Sequence, residues 1–219
     1  MMNRQPAEIR SLLQRVLGAA ALVSCVLAGC TDSGGGNGAA SDISPDVVFE
    51  DQAETNSQPE QDVFDLSFIE HDGGRVMISD FEGKQNVLLV VTRGYSGFSC
   101  PYCSAQTARL IRNQEKFAER NTKVIVVYPG EKDKAVEFVD EVSELAGGST
   151  ENTQLSFVLD EDLATVKRLM IEGDLAMPAT YILDSEGQVR FAYVGRTASD
   201  RPSLKAILEK LDQVNGPGS

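Results

Sequence analysis

The sequence predicts an α/β fold: a mixed central β-sheet flanked by helices, with a β-hairpin leading into it. Two observations carry this. Val87-Leu88-Leu89-Val90-Val91 is continuously apolar, as a central strand covered on both faces requires. After residue 100, stretches with helical hydrophobic spacing alternate with further short apolar runs. The length of 219 residues and a hydrophobic content of 42% suit one domain with extensions.

In chain order, residues 1–15 carry Arg4, Arg10 and Arg15 against one acid, Glu8, and precede an apolar run over residues 16–28. Basic then apolar is the order of a secretory signal, and the run is too short to span a bilayer comfortably. It ends in Leu27-Ala28-Gly29-Cys30, which resembles the lipobox of bacterial lipoproteins. The resemblance implies that residues 1–29 are a signal peptide and that Cys30 becomes the lipidated first residue. The expected place is the cell envelope, on a periplasmic or other extracytoplasmic face, with stable anchoring by its acyl chains.

Residues 30–61 read as an acidic Gly/Ser-rich tether. Asp32, Asp42, Asp46, Glu50, Asp51, Glu54 and Glu60 lie there without a single Lys or Arg, which predicts a mobile segment. The exception is its apolar patch, Val47-Val48-Phe49, which could dock on the domain. Removing residues 1–29 moves the net charge from −13 to −15, which argues against nucleic acid as a partner.

The folded domain is expected over residues 62–214, with a short tail at 215–219. Val63, Phe64, Leu66, Phe68 and Ile69 predict a strand, His71-Asp72-Gly73-Gly74 a turn, and residues 75–78 the returning strand. The central strand over 87–91 follows. A helix is predicted from Cys100 to about Arg120, with Cys103, Thr107, Leu110, Ile111, Phe117 and Ala118 toward the core and Arg109, Arg112, Lys116 and Arg120 on a solvated face. Then come a strand over 123–128, a helix over 131–146 ended by Gly147-Gly148, and a strand over 155–159. A helix over 161–171 capped by Asp160, strands over 179–183 and 189–194, and a last helix over 202–214 complete the domain.

Once Cys25 leaves with the signal and Cys30 takes lipid, Cys100 and Cys103 are the remaining thiols. Their spacing places both on one helix face, where a compact and easily reopened disulfide can close. At a helix start Cys100 meets unpaired N–H groups and the positive end of the dipole, which favour its thiolate and make it the nucleophile. Cys103, one turn inside, is placed to resolve a mixed disulfide on Cys100. Pro101 suits the first helical position. Half of a zinc site is a competing reading, but a structural zinc needs four ligands and the mature chain has no second cysteine pair. A pair of buried core cysteines is the other alternative.

Cys100-Pro101-Tyr102-Cys103, the apolar strand before it and Met177-Pro178-Ala179-Thr180-Tyr181-Ile182-Leu183-Asp184-Ser185-Glu186-Gly187 after it resemble the thioredoxin superfamily. The branch is the redoxin group of alkyl hydroperoxide reductase and thiol-specific antioxidant, over about residues 62–214. This resemblance implies a thioredoxin-like fold in which a cis-proline, here Pro178, opens a strand opposite the cysteines. Met177 and Pro178 would then form the substrate-facing edge. Three features depart from thioredoxins. Ser99 stands where they carry Trp, residues 87–92 hold no acid to take the proton of Cys103, and residues 93–98 make a longer connection that implies a lip over Cys100. The Pro-Tyr dipeptide is that of glutaredoxins, whose potentials lie at roughly −230 to −200 mV.

The expected activity is that of an exported thiol-disulfide oxidoreductase, with thiol or disulfide proteins and a redox partner as its counterparts and no cofactor. The alternative is a peroxiredoxin-like thiol peroxidase, with Cys100 peroxidatic and Cys103 resolving. Against it, Gly97 and Pro178 stand where peroxiredoxins have a Thr or Ser and an Arg, with Arg93 and Arg196 as candidate substitutes. A remote third reading is a copper chaperone using both thiolates and His71, the single histidine. No phosphate loop, serine triad or paired catalytic carboxylates compete.

Overall fold

A computed structural model of the chain describes residues 47–59, 63–94, 99–148 and 153–216. The chain divides into two units, Met1–Asn37 and Gly38–Ser219, and every described residue belongs to the second. The signal peptide, Cys30 and the first part of the tether lie outside the described residues. Among the described residues, no helix is long and apolar enough to cross a membrane.

Seven strands form one mixed sheet in the order β2-β1-β5-β4-β3-β6-β7. The leading hairpin is β1 (Ser67–Glu70) and β2 (Arg75–Met77), shorter than its apolar residues suggest because Val63 and Leu66 enter the core from the turn before β1. At the centre, β3 (Asn86–Val91) runs parallel to β4 (Thr122–Pro129), and β4 parallel to β5 (Ser156–Asp160). β6 (Ala179–Leu183) lies antiparallel to β3, and β7 (Val189–Val194) antiparallel to β6. Alternation along β3 and β4 feeds two cores. Leu88, Val90, Val124 and Val126 pack toward α1 (Pro101–Arg112), α3 (Lys132–Ala146) and α5 (Leu204–Asn215). Val87, Leu89, Val91, Ile125 and Val127 pack on the opposite face against Val166 of α4 (Ala164–Arg168), Leu169 and Ile171.

Three expectations are corrected. The long helix to Arg120 breaks at Asn113, whose side chain donates to the carbonyl of Arg109 at 2.8 Å in competition with the backbone ladder. A short α2 (Gln114–Ala118) follows, which buries Phe117 and leaves Ala118 exposed. The helix over 161–171 shrinks to α4, because Leu163 and Met170 take left-handed φ values of 57° and 53° on either side of it. Asp160 does cap this helix, receiving the N–H groups of Thr165 at 2.9 Å and Val166 at 3.1 Å.

The third correction concerns the tether. Residues 47–59 are packed on the domain, so the described structure already includes a docked segment ahead of Asp62. Phe49 is buried against Ala105 and Ala108 of α1. Arg109 covers its ring at 4.8 Å from the centroid and donates to the carbonyl of Val47 at 2.7 Å. Farther along, the side-chain amide of Asn56 covers the open edge of β7: it receives the N–H of Val194 at 2.8 Å and donates to the carbonyl of Val194 at 3.1 Å. The basic face of α1 and its continuation is therefore occupied within the chain. Arg112 donates to the last carbonyls of α3, at Leu145 and Ala146, and Arg120 pairs with Asp212 of α5 at 2.7 Å.

Phe49→Ala is expected to lower the stability of the domain by about 3 kcal/mol in chemical denaturation, because it empties a buried aromatic site. A segment that was only a tether would leave the unfolding midpoint unmoved.

Candidate active site

β3 delivers the chain to the site. Thr92, fully buried, directs its hydroxyl and its N–H to the carbonyl of Val127, at 3.1 and 3.0 Å. Gly94 then turns with φ 78°, and a Cβ there would lie 2.2 Å from the carbonyl oxygen of Pro129, so only glycine fits. Cys100 occupies the N-cap of α1 with extended backbone and Pro101 the first turn. The carbonyl of Cys100 receives the N–H of Ser104 at 3.1 Å, which starts the helical ladder. Beside it the hydroxyl of Ser99 donates to the carboxylate of Glu141 on α3.

Both cysteines are free thiols. Cys100 keeps 9% of its surface exposed and Cys103 only 2%, so Cys100 is the more accessible sulfur. The S–H of Cys103 donates to the sulfur of Cys100, and this is the main reason that the Cys100 thiol falls from 9.0 to about 6. Burial opposes the fall, while the backbone N–H groups of Cys103 and Tyr102 and the charge of Arg201 assist it. For Cys103 burial acts first and pushes the thiol well above its ordinary value; the hydrogen bond to Cys100 adds to that, and Arg201 opposes it. Near neutral pH the pair thus holds one proton, on the inner sulfur.

Arg201 was not legible as a site residue. The loop from Gly195 to Ser203 carries it inward. A Cβ on Gly195 would lie 1.9 Å from the carbonyl oxygen of Asp200 and 2.9 Å from the Pro178 ring, which shows how tightly the loop folds back on itself. The carboxylate of Asp200 receives the phenol of Tyr193 at 2.5 Å and the N–H of Arg196 at 2.8 Å. From this turn the Arg201 side chain, 1% exposed, donates to the Cys103 sulfur at 3.2 Å, to Gln106 Oε1 at 2.6 Å and to the carbonyl of Ala198 at 2.8 Å. In the sequence, Ser199-Asp200-Arg201-Pro202 has the composition of a solvated turn. No local pattern links it to a cysteine 98 positions earlier.

The remaining candidates divide. Pro178 directly precedes Ala179, which pairs with Val91, so it arrives at the sheet end from which Cys100 is launched. Pro178 is buried and Met177 is 38% exposed. The N–H of Met177 is taken by the carbonyl of Ile171 at 2.8 Å, so a bound chain could pair there only through the Met177 carbonyl. The N–H of Arg93 points to the Cys103 sulfur at 3.4 Å, and its side chain lines a cavity of about 240 Å³ with Pro129, Leu163, Val166 and Leu175. Arg196 is exposed. Gly97 and most of the expected lip lie outside the described residues. His71 follows β1, which β5 and β4 separate from β3, and it packs edge-on to Phe157 with centroids 6.0 Å apart. That places its imidazole away from the thiols, against the copper reading. Among the described residues no group of three or more His, Cys, Asp or Glu side chains is gathered to hold a metal ion.

Residues 59–192 match the family model described as AhpC/TSA family. Curated proteins gave no match. Solved structures similar to this chain include the reduced 2-Cys peroxiredoxin of Plasmodium vivax, with 21% identity, TM-score 0.55, and coverage of 67% of this chain and 76% of that one. A cysteine-to-serine mutant of peroxiredoxin 6 of Arenicola marina aligns with 16% identity, TM-score 0.60, and coverage of 71% and 72%. Peroxidoxin BcpB from Mycobacterium tuberculosis aligns with 13% identity, TM-score 0.56, and coverage of 76% and 100%. At these identities the likeness is one of fold.

Alkylation of the reduced protein should rise with a midpoint near pH 6, where the Cys100 thiolate forms, and should modify Cys100 alone. Cys103→Ala removes the S–H donor, and the midpoint is then expected to move up toward the ordinary thiol value. Mass mapping of the modified peptide over a pH series checks both outcomes.

Proposed function

Since the chain belongs to the AhpC/TSA family, oxidoreductases acting on thiols and peroxides, we propose that it is a thiol-disulfide oxidoreductase of the cell envelope working through Cys100 and Cys103. The observation that carries this reading is the opposed behaviour of the two thiols at one helix start: an outer sulfur that ionises near neutral pH and an inner one that keeps its proton.

The chemistry follows from that asymmetry. The Cys100 thiolate attacks a sulfur of a partner disulfide, forming a mixed disulfide and releasing one partner thiolate. Cys103 then loses its proton to water and attacks the Cys100 sulfur, closing the intramolecular disulfide and releasing the second partner thiolate. Two electrons pass to the partner and one proton to solvent. The reverse sequence oxidises a partner dithiol. Met177 and Pro178 supply the edge along which an extended partner chain would lie, with the Met177 carbonyl as acceptor.

A second reading, thiol peroxidase, is supported by the family and by the peroxiredoxin folds that the chain resembles. There the Cys100 thiolate would attack a peroxide oxygen to give a sulfenic acid and an alkoxide or hydroxide, and Cys103 would condense with the sulfenic acid, releasing water. The site favours disulfide exchange, because the buried guanidinium contacts the inner sulfur, Cys103, rather than the outer one that a peroxide would meet. Anchoring of this domain to the membrane through a lipid on Cys30 is part of the proposal and rests on the sequence of residues 16–30.

In cells producing Cys103→Ser, mixed disulfides with partner proteins should accumulate through Cys100, fractionate with membranes, and become soluble when Cys30→Ser is added. Non-reducing electrophoresis reads the outcome. No trapped complexes, or complexes that persist in Cys100→Ser, would sink the proposal.

A further inference from the structure

Arg201 is fully buried and its guanidinium contacts three acceptors: the Cys103 sulfur at 3.2 Å, the side-chain oxygen of Gln106 at 2.6 Å and the carbonyl of Ala198 at 2.8 Å. None of the three is a carboxylate. A buried cation with only neutral acceptors is costly, so the charge of this arginine depends on the sulfur pair beside it.

We propose that Arg201 is a positioning residue that sets the reduction potential of the cysteine pair, holding the reduced form through its hydrogen bond to the Cys103 sulfur. This rests on reading Cys100 and Cys103 as a reversible dithiol-disulfide pair. In the reduced state the pair carries one negative charge and one proton. The guanidinium donates to the Cys103 sulfur while the Cys103 S–H donates to the Cys100 thiolate, so the positive charge acts through Cys103 on Cys100. Oxidation removes two electrons and that proton and leaves a neutral disulfide. The guanidinium then remains buried without an anionic neighbour. Stabilising the reduced form in this way makes the pair a stronger oxidant.

The backbone of Arg201 is held for this task by the docked segment. Its carbonyl receives the N–H of Glu50 at 2.8 Å, and the carbonyl of Glu50 receives the N–H of Ser203 at 2.8 Å. The two bonds bracket Pro202, the residue after Arg201, and tie the Arg201 backbone to the docked segment.

The test is the equilibrium of the pair with glutathione, in which two glutathione thiols reduce the protein disulfide and give glutathione disulfide, one protein thiolate, one protein thiol and a proton. Arg201→Met removes the charge. Gln106→Glu keeps the shape but gives the guanidinium a permanent carboxylate partner, and it is informative even if Arg201→Met fails to fold. Both variants are expected to favour the disulfide at least tenfold more than the unsubstituted protein, a shift of about 30 mV toward reducing potentials. A residue that only supports the fold would weaken both redox forms alike and leave this equilibrium unmoved. An equilibrium within twofold of the unsubstituted protein, in either folded variant, overturns the inference and leaves the proposed function standing. Failure of the unsubstituted protein to form the Cys100–Cys103 disulfide at any glutathione ratio overturns both.

Discussion

The S–H of Cys103 donates to the sulfur of Cys100, and the geometry required for that contact constrains much of the domain. Both sulfurs must lie in the first turn of one helix, so α1 must begin at Cys100. Pro101 favours that start, and the ladder bond from Ser104 to Cys100 fixes it. The inner sulfur must also be sealed from water while the outer one is not. β3, the turn at Gly94 and the loop around Arg201 close over Cys103 from the sheet side, which leaves Cys100 as the more accessible thiol.

That enclosure depends on segments distant in sequence. The loop after β7 folds tightly enough that Gly195 lies against both Pro178 and Asp200, so the proline before β6 and the turn that presents Arg201 are one packed unit. The acidic segment over 47–59 adds a third layer. It covers α1 through Phe49, occupies the edge of β7 through Asn56 and holds the Arg201 carbonyl through the N–H of Glu50. Thioredoxins place an acid near the inner cysteine; in this chain a buried guanidinium cation stands there instead. The sign of that charge changes what the inner sulfur can do: a carboxylate takes up its proton, whereas a guanidinium favours the form in which the proton has left.

Much of this was legible in the sequence because it is encoded locally. The central strand announces itself by five consecutive apolar residues, and the Cys-Pro-Tyr-Cys stretch states its own helix register. β6 and β7 were found for the same reason, each bounded by its own turn residues. What escaped is encoded by contacts. The docking of residues 47–59 is hinted at only by the apolar patch Val47-Val48-Phe49 in a composition that otherwise reads as disordered, because Val47, Phe49 and Ala53 find their partners on helices distant in sequence. Arg201 escaped likewise, as did the helix break at Asn113, where one side-chain amide outcompetes a favourable helical pattern.

A stopped-flow comparison, in which the reduced protein is mixed in parallel with a disulfide-bonded protein and with hydrogen peroxide, bears most directly on the role of the two thiols. Rapid exchange with the protein disulfide through Cys100 and sluggish oxidation by peroxide are the expected outcome. Rapid oxidation by peroxide with no exchange would be the opposite result and would make the chain a peroxidase.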